Sequence, residues 1–355
     1  MRKHNKRRSS KAGLPPGTLV HIGDQKLERA VISLIEYSAD DLVETQFTSL
    51  EEAHAHRPRL PNLWLNVHGL HEPTVMTEIG ERFHLHPLVL EDILNTDQRP
   101  KMDDYGDYLY LVARFFDFDA ATMTVASEQV SLILGRNFVL TFQERPTGSF
   151  DPIRERLRQD RGQIRRRGTD YLAYSLLDAI IDRYFTVLEQ IGERSEDLED
   201  ALLAKAHSSQ LQTLHQLKRE TLILRRAVWP LREVVNSLMR AENRFFQPET
   251  QPYLRDIYDH TVHVIESLEA IRDLIAGLLD IYLSSISNRV NQEVRALTVI
   301  ALIFMPATLI SGVFGMNFKV MPLLENPSGF ATALGLMATV ASTIGLVFWR
   351  RKWLD

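Results

Sequence analysis

The 355-residue sequence contains no cysteine. This absence excludes disulfide bonds, thiolate metal sites and cysteine nucleophiles, and leaves oxygen and imidazole chemistry. Neither G-x-x-x-x-G-K nor G-x-G-x-x-G occurs, so there is no glycine-rich phosphate loop and we expect neither nucleotide binding nor nucleotide hydrolysis. The 41 Lys and Arg against 46 Asp and Glu give a net charge of -5, a weak acidity that gives no general reason to expect a nucleic-acid partner.

The N-terminal residues, MRKHNKRRSSKAG, also lack the apolar segment of a secretory signal. We therefore expect the N-terminus to stay in the cytoplasm, with residues 1–17 as a disordered basic tail. The alternative is that this tail contacts anionic lipid or nucleic acid.

Residues 18–149 alternate strand-like and helical runs, which predicts an α/β domain. The strand-like runs are TLVHI, AVISLIEY, LWLNVHG, DYLYLVARFF, EQVSLIL and NFVLTF, and the helical runs are TVMTEIGERF and HPLVLEDILN. Because LWLNV and YLYLVARFF are apolar on both faces, we expect helices on each side of the sheet, which is an α/β/α sandwich.

Residues 150–249 have the period of long amphipathic helices, beginning with DPIRERLRQDRGQIRRR, and Pro230 is expected to kink one of them. After Pro252, apolar or small residues spaced four and three apart form a heptad seam that requires a partner helix. The seam residues are Ile257, Thr261, Val264, Leu268, Ile271, Ile275, Leu278 and Tyr282. A helix from about Tyr253 to Gly312 would be about 90 Å long, so residues 250–295 predict a stalk whose seam could join copies of the chain.

Two uncharged runs, residues 296–318 and 326–349, each exceed the ~20 residues that cross a bilayer as a helix. Residues 319–325 join them so closely that both flanks lie on one side. Positive-inside logic makes that side the cytoplasm, with residues 319–325 in the periplasm and 350–355 as a basic cytoplasmic tail. The basic markers are Arg289, Arg295, Arg350, Arg351 and Lys352, against Lys319 in the loop. A buried soluble hairpin is the alternative.

From Asn291, just before the first run, Asn291, Thr298, Met305 and Gly312 recur every seven residues and form one stripe of the helix. A polar or small stripe on a membrane helix faces either a tight neighbour or a water-filled path, and spacing does not separate the two. Since two helices enclose no pore, a channel would require several copies in a ring.

The first run ends in FGMNFKVMP, which contains Gly315, Met316 and Asn317. This GMN motif lies directly after the first of two terminal spans, and the chain also contains QRPK, EQVSLIL, YLSSISN and IFMP. Together these features resemble the CorA family of magnesium and cobalt transport channels over nearly the whole chain. The resemblance implies a non-enzymatic, funnel-shaped homopentamer in the inner membrane, with the first span lining the pore and the second outside it.

The resemblance also implies roles for individual residues. The residues expected to line the pore are Asn291, Leu297, Met305, Thr308 and Gly312, and the selectivity filter is Gly315, Met316 and Asn317. Leu297 and Met305 would form a hydrophobic gate. Asp280 would form an acidic ring near the cytoplasmic end of the pore. Asp92 and Asp256 match positions where a regulatory magnesium ion binds between subunits and holds the pore shut.

A ring of asparagine amides suits magnesium, because this ion keeps much of its water shell and neutral oxygens accept hydrogen bonds from that water. The alternative for Asn317 is a helix C-cap after Gly315. The functional alternatives are a zinc transporter of the same superfamily and a membrane scaffold that transports nothing. Co²⁺ and Ni²⁺ share the octahedral preference of Mg²⁺ and are expected to pass as well.

The sequence contains two further clusters, one of histidines and one of basic residues. His68, His71, His84 and His86 form a candidate zinc site, but no cysteine accompanies them. The basic run from Arg154 to Arg167 is interpreted as a solvated face.

Overall fold

The structure is a computed structural model that describes residues 13–47, 49–240, 244–317, 319, 321, 323 and 326–351. Residues 1–12 of the predicted tail, residue 318 of the first predicted span, residues 320, 322, 324 and 325 of the predicted loop and residues 352–355 lie outside the described residues. The chain divides into two compact units. The first comprises Met1–Glu199 and Ser209–Gly277, and the second comprises Asp200–Ser208 and Leu278–Asp355.

The first unit contains a mixed sheet of seven strands in the order β2-β1-β3-β7-β6-β5-β4. The strands are β1 (Val31–Tyr37), β2 (Leu42–Phe47), β3 (Asn62–His68), β4 (Lys101–Asp104), β5 (Tyr108–Asp119), β6 (Thr124–Gly135) and β7 (Phe138–Gln143). β3 and β7 pair in parallel at the centre, and the other neighbours pair antiparallel.

The helices of the described residues range from one and a half turns to many turns. They are α1 (Leu50–Ala55), α2 (Pro73–Arg82), α3 (Pro87–Leu94), α4 (Asp151–Arg158), α5 (Thr169–Ala204), α6 (Ser208–Leu238), α7 (Gln251–Phe314) and α8 (Gly329–Arg350). Proline begins α2 and α3, where its fixed φ favours the first turn and its missing N–H costs nothing. α6 continues through Pro230 to Leu238.

Helices cover both faces of the sheet. Leu65 of β3 packs into a core with side chains of α1, α2 and α3. The neighbouring Trp64 points the other way, and its ring lies 6.0 Å from that of Phe150, which precedes α4. On the same face, the ring of Phe115 in β5 lies 5.1 Å from that of Phe150, and the guanidinium of Arg154 in α4 lies 5.2 Å from the Trp64 ring. Burying each such ring stabilises the fold by about 2–3 kcal/mol. The predicted α/β/α sandwich is confirmed.

Two local predictions for the sheet differ from the structure. The run TLVHI (residues 18–22) forms no strand, and Ile22 makes only an isolated bridge to Asn95. Conversely, β2 and β4 were not predicted. Both are edge strands with polar, partly exposed side chains, LVETQF and KMDD, so backbone pairing holds them without an apolar pattern.

The predicted helix over residues 151–167 is too long, because α4 ends at Arg158. Asp160 adopts a left-handed φ of 49°, which reverses the chain. Arg165 then donates hydrogen bonds to the carbonyls of Leu157 at 2.5 Å and Arg158 at 2.8 Å, and so satisfies the end of the helix. The basic run is therefore not a uniformly solvated face.

The predicted unbroken helix is present as α7, whose 64 residues give it a length of about 96 Å at 1.5 Å per residue. Its heptad seam is buried within a single chain, with exposures of 0–3% for Ile257, Val264, Leu268 and Ile275. Helices of the same chain reach α7, since Phe185 of α5 lies 5.5 Å from His263 and Arg225 of α6 lies 3.4 Å from Glu269. The expectation that this seam joins copies of the chain is therefore wrong.

Candidate channel and regulatory sites

The C-terminal part of α7 and the whole of α8 expose large apolar side chains. Leu297 is 68% exposed, Leu309 69%, Phe330 80% and Trp349 72%. Both helices are long and apolar enough to cross a membrane, and only 6% of each apolar window is buried. A soluble monomer rarely leaves so much contiguous apolar surface in water, so lipid or neighbouring helices must cover these helices.

Three of the predicted pore-lining residues lie along one open groove of α7. Met305, Thr308 and Gly312 line this groove of about 590 Å³, and it continues to Met316 of the GMN motif. Leu297 and Asn291 are exposed further towards the helix N-terminus. The helical spacing therefore brings Met305, Thr308, Gly312 and Met316 onto one surface.

Threonine hydroxyls on this stretch of helix are held by the backbone. Thr298 donates to the carbonyl of Val294 at 2.8 Å, and Thr308 donates to that of Phe304 at 2.9 Å. Each hydroxyl hydrogen is thereby used inside the helix, and the oxygen keeps lone pairs for an outside donor. A water molecule on a hydrated cation is such a donor.

α7 ends at Phe314, immediately before the GMN motif. The N–H of Gly315 donates to the carbonyl of Ser311 at 2.9 Å. A Cβ at position 315 would lie 3.2 Å from that same oxygen, which is a tight contact that favours glycine. Asn317 is exposed, and its side chain makes no hydrogen bond to any residue that the structure describes. A C-capping asparagine adopts a left-handed φ, and Asn317 is not among the described residues with positive φ, so the C-cap alternative is not supported.

Asp280 lies on α7 within the second unit and is exposed. It makes no ion pair with another described residue.

Asp92 lies near the end of α3, and both of its carboxylate oxygens have partners. Gln98 donates to Oδ1 at 2.6 Å, and the Nζ of Lys101 lies 2.8 Å from Oδ2. The same Nζ lies 2.6 Å from Asp103. Asp92 opens on a cleft of about 580 Å³ whose other lining carboxylates are those of Glu91, Asp103 and Asp104. Such hard oxygen donors fit a magnesium ion.

Asp256 lies in the second turn of α7, with its side chain 60% exposed and 3.9 Å from His260. No hydrogen bond or ion pair in the described chain joins it to Asp92. His260 instead belongs to a cluster with Asp178 and Asp182 of α5, whose potential ligand atoms all lie within 4.8 Å of one another. Burial, with the charge of Asp182 next, raises the pKa of Asp178 to about 6.

Sequence reasoning did not find this cluster. Asp178 and Asp182 are spaced four apart on one helix face, which is a detectable signal. Their third partner, His260, belongs to α7, and only the packing of α7 beside α5 brings it close.

The four histidines considered as a zinc site have separate structural roles. His68 is buried, and burial lowers its pKa to about 4. His71 lies 3.2 Å from the carbonyl of Glu28. His86 accepts a hydrogen bond from the N–H of Leu88 and so caps α3, whereas His84 is exposed in a left-handed conformation. The structure does not bring the four rings together.

Comparison with known proteins accounts for this combination of features. A family model described as CorA-like Mg²⁺ transporter protein matches residues 62–352. The cobalt/magnesium transport protein CorA of Thermotoga maritima is 45% identical over 349 residues, which is 98% of this chain and 99% of that protein. The chain belongs to the CorA family.

The CorA fold is also found among solved structures. The complete structure of the CorA magnesium transporter from Methanocaldococcus jannaschii has a TM-score of 0.76. It is 20% identical, and the match covers 91% of this chain and 98% of that one. CorA proteins are transporters rather than enzymes. The side chains described above are therefore candidates for roles in ion transport rather than in catalysis.

Proposed function

We propose that this chain forms a homopentameric channel through which magnesium enters the cell, with cobalt and nickel as further permeant ions. The GMN motif carries this proposal, because it directly follows the first of two exposed apolar helices in a CorA-family chain. The transport named for the Thermotoga maritima relative, cobalt and magnesium, agrees with it. The membrane potential supplies about 2.3 kcal/mol per charge per 100 mV, so uptake needs no nucleotide.

The proposed arrangement places both termini in the cytoplasm and the chain in the inner membrane. Residues 1–17 form a tail, 18–149 the α/β domain, 150–249 the long-helix region and 250–295 the stalk. Residues 296–318 and 326–349 cross the membrane, 319–325 lie in the periplasm, and 350–355 form a cytoplasmic tail. The exposed apolar surface of α7 and α8 supports this division.

The proposed ion path begins at the filter of Gly315, Met316 and Asn317. Five Asn317 amides would accept hydrogen bonds from the water around the ion. The path then follows Gly312, Thr308 and Met305 down the α7 groove. Met305 and Leu297 would close the path by excluding water, and Asn291 and Asp280 would lie at its cytoplasmic end.

The proposed control is a magnesium ion bound between subunits by Asp92 of one copy and Asp256 of the next. Both side chains are partly or largely exposed, so each is open to a neighbouring copy. The cluster of Asp178, Asp182 and His260 beside Asp256 adds negative charge that draws cations to this edge. Bound ion would favour the closed state, and low cytoplasmic magnesium would release it.

Metal flux into liposomes that contain the purified protein tests the proposal. Magnesium, cobalt, nickel and zinc are compared, with protein-free liposomes as the control. We expect magnesium, cobalt and nickel to enter in response to an inside-negative potential. Zinc flux without magnesium flux would select a zinc transporter, and the absence of all flux would select a scaffold.

A further inference from the structure

Lys101 binds the residue that the proposed regulatory ion must use. Its Nζ lies 2.8 Å from Asp92 and 2.6 Å from Asp103, so one ammonium group bridges two carboxylates. The remaining Asp92 oxygen accepts from Gln98 at 2.6 Å. Within one chain, Asp92 therefore already has the contacts that a cation would otherwise supply.

The position of this ammonium group is fixed by the fold. Lys101 is the first residue of β4, which pairs with β5 through Val112. Its Nζ also lies 5.3 Å from the centre of the Tyr110 ring, which is fully buried. The side chain is about one-third exposed, so the group is held at the cleft and is not free to leave it.

A cation that coordinates Asp92 directly must displace the Lys101 ammonium group from Oδ2. A cation that binds Asp92 through water is instead repelled by the positive charge of Lys101 beside it. In either case the lysine lowers the affinity of the cleft for a divalent ion. Asp103 offsets part of this effect, because the displaced ammonium group can still pair with the Asp103 carboxylate. The ion concentration needed to fill the site is then set by the chain itself.

We infer that Lys101 is a tethered competitor of the regulatory magnesium ion, and that it sets the magnesium concentration at which the channel closes. This inference rests on the proposed control through Asp92. In this inference, Lys101 controls the affinity of the regulatory site for magnesium and takes no part in ion conduction. Removing the charge at position 101 therefore tightens magnesium binding and leaves the permeation path unchanged.

The test is a magnesium titration of protease protection on the purified full-length oligomer, with calorimetric titration of magnesium as a second readout. Lys101→Met removes the charge and keeps the alkyl chain beside Tyr110, and Lys101→Gln serves if the first variant fails to assemble. Lys101→Arg keeps the charge. Lys26→Met is the matched control, because Lys26 forms its own ion pair with Glu144 at 3.1 Å.

We expect Lys101→Met to lower the half-protecting magnesium concentration by roughly threefold to tenfold, as the loss of a partly buried competing ion pair requires. Lys101→Arg keeps the competing charge and should not lower the midpoint, and Lys26→Met should stay within about twofold of the parent. A midpoint that is unchanged or raised in both Lys101→Met and Lys101→Gln overturns the inference.

Asp92→Asn separates this failure from failure of the proposed control. If magnesium protects the parent but not Asp92→Asn, the site is real, and an unchanged Lys101→Met midpoint overturns the competitor alone. If magnesium protects Asp92→Asn as well as the parent, or protects neither, the proposed control fails and the inference fails with it.

Discussion

Asp178 has an environment that resists its ionisation. It is partly buried on α5, and it faces Asp182 on the same helix, Asp256 and His260 on α7, and Arg156 on α4. Burial and the two neighbouring carboxylates raise its pKa to about 6, against the opposing effect of His260 and Arg156. In the absence of metal, the folded chain therefore disfavours the charged form that a divalent ion would bind.

Because ionised Asp178 is unfavourable in the folded chain, we predict that Asp178→Asn raises the stability of the fold in a pH-dependent way. A carboxyl group whose pKa is raised by folding is neutral in both states at low pH, and its cost grows as the pH rises and is complete above about 6. In chelator at about pH 8, the variant should melt higher than the parent by ~2 °C. The difference should vanish as the pH falls towards the ordinary aspartate value.

Thermal unfolding in chelator across this pH range checks the prediction. Asp259→Asn, at an exposed position of α7, is the matched control and should show no such trend. A variant that is less stable than the parent above pH 6, or whose gain does not change with pH, would contradict this account of the cluster.

At the scale of elements, the apolar periodicity of the sequence predicted those strands and helices whose side chains are buried. The strands β3, β5, β6 and β7 and the unbroken helix α7 follow from apolar patterns, because their side chains must leave water. β2 and β4 carry no such pattern, since an edge strand is held by backbone hydrogen bonds. The end of α4 depends on Arg165 returning to the helix terminus, which helical periodicity does not encode.

The candidate site likewise contains features that are local in sequence and features that depend on tertiary packing. The stripe along α7 is local in sequence, so it was predictable from spacing, whereas the filter role of the GMN motif was predicted from the resemblance to the CorA family. Lys101 was not singled out, because its role comes from the pairing of β4 beside α3. The heptad seam of α7 indicated that one helix face needs cover, but not that helices of the same chain supply it.

The proposed membrane hairpin of the two apolar helices can be tested by cysteine labelling, because the chain has no cysteine of its own. Lys319→Cys lies in the proposed periplasmic loop, and Asp107→Cys lies in an exposed turn between β4 and β5. In intact spheroplasts, a membrane-impermeant thiol reagent should label Cys only at position 319. Position 107 should be labelled after permeabilisation, because the α/β domain lies in the cytoplasm in the proposed topology.

The unsubstituted chain is the control for this labelling, since it has no thiol. Labelling of position 107 in intact spheroplasts, with position 319 protected, would reverse the orientation. Equal labelling of both before permeabilisation would rule out a membrane-crossing hairpin.

At the scale of the whole molecule, one chain is incomplete. The first unit buries its own core, whereas α7 beyond Leu283 and α8 leave most of their large apolar side chains exposed. Lipid can cover the outward faces, whereas the α7 groove carries the polar Thr308 and the small Gly312 among apolar side chains and continues to Met316 of the GMN motif. In the proposed channel, a ring of copies would cover this groove and would also enclose the path for ions.

The central claim is that a ring of Asn317 amides recognises hydrated magnesium. At ~1 kcal/mol for each hydrogen bond, loss of the amide from every subunit removes several kcal/mol from ion recognition. Asn137→Ala, in the exposed turn between β6 and β7, is the matched control. Asn317→Gln retains an amide at the filter and should retain more flux than Asn317→Ala.

The deciding measurement is potential-driven magnesium flux into liposomes containing each variant, at equal amounts of assembled oligomer. We expect Asn317→Ala to reduce the flux by at least about tenfold, with Asn137→Ala equal to the parent. Undiminished magnesium flux through Asn317→Ala would contradict the account.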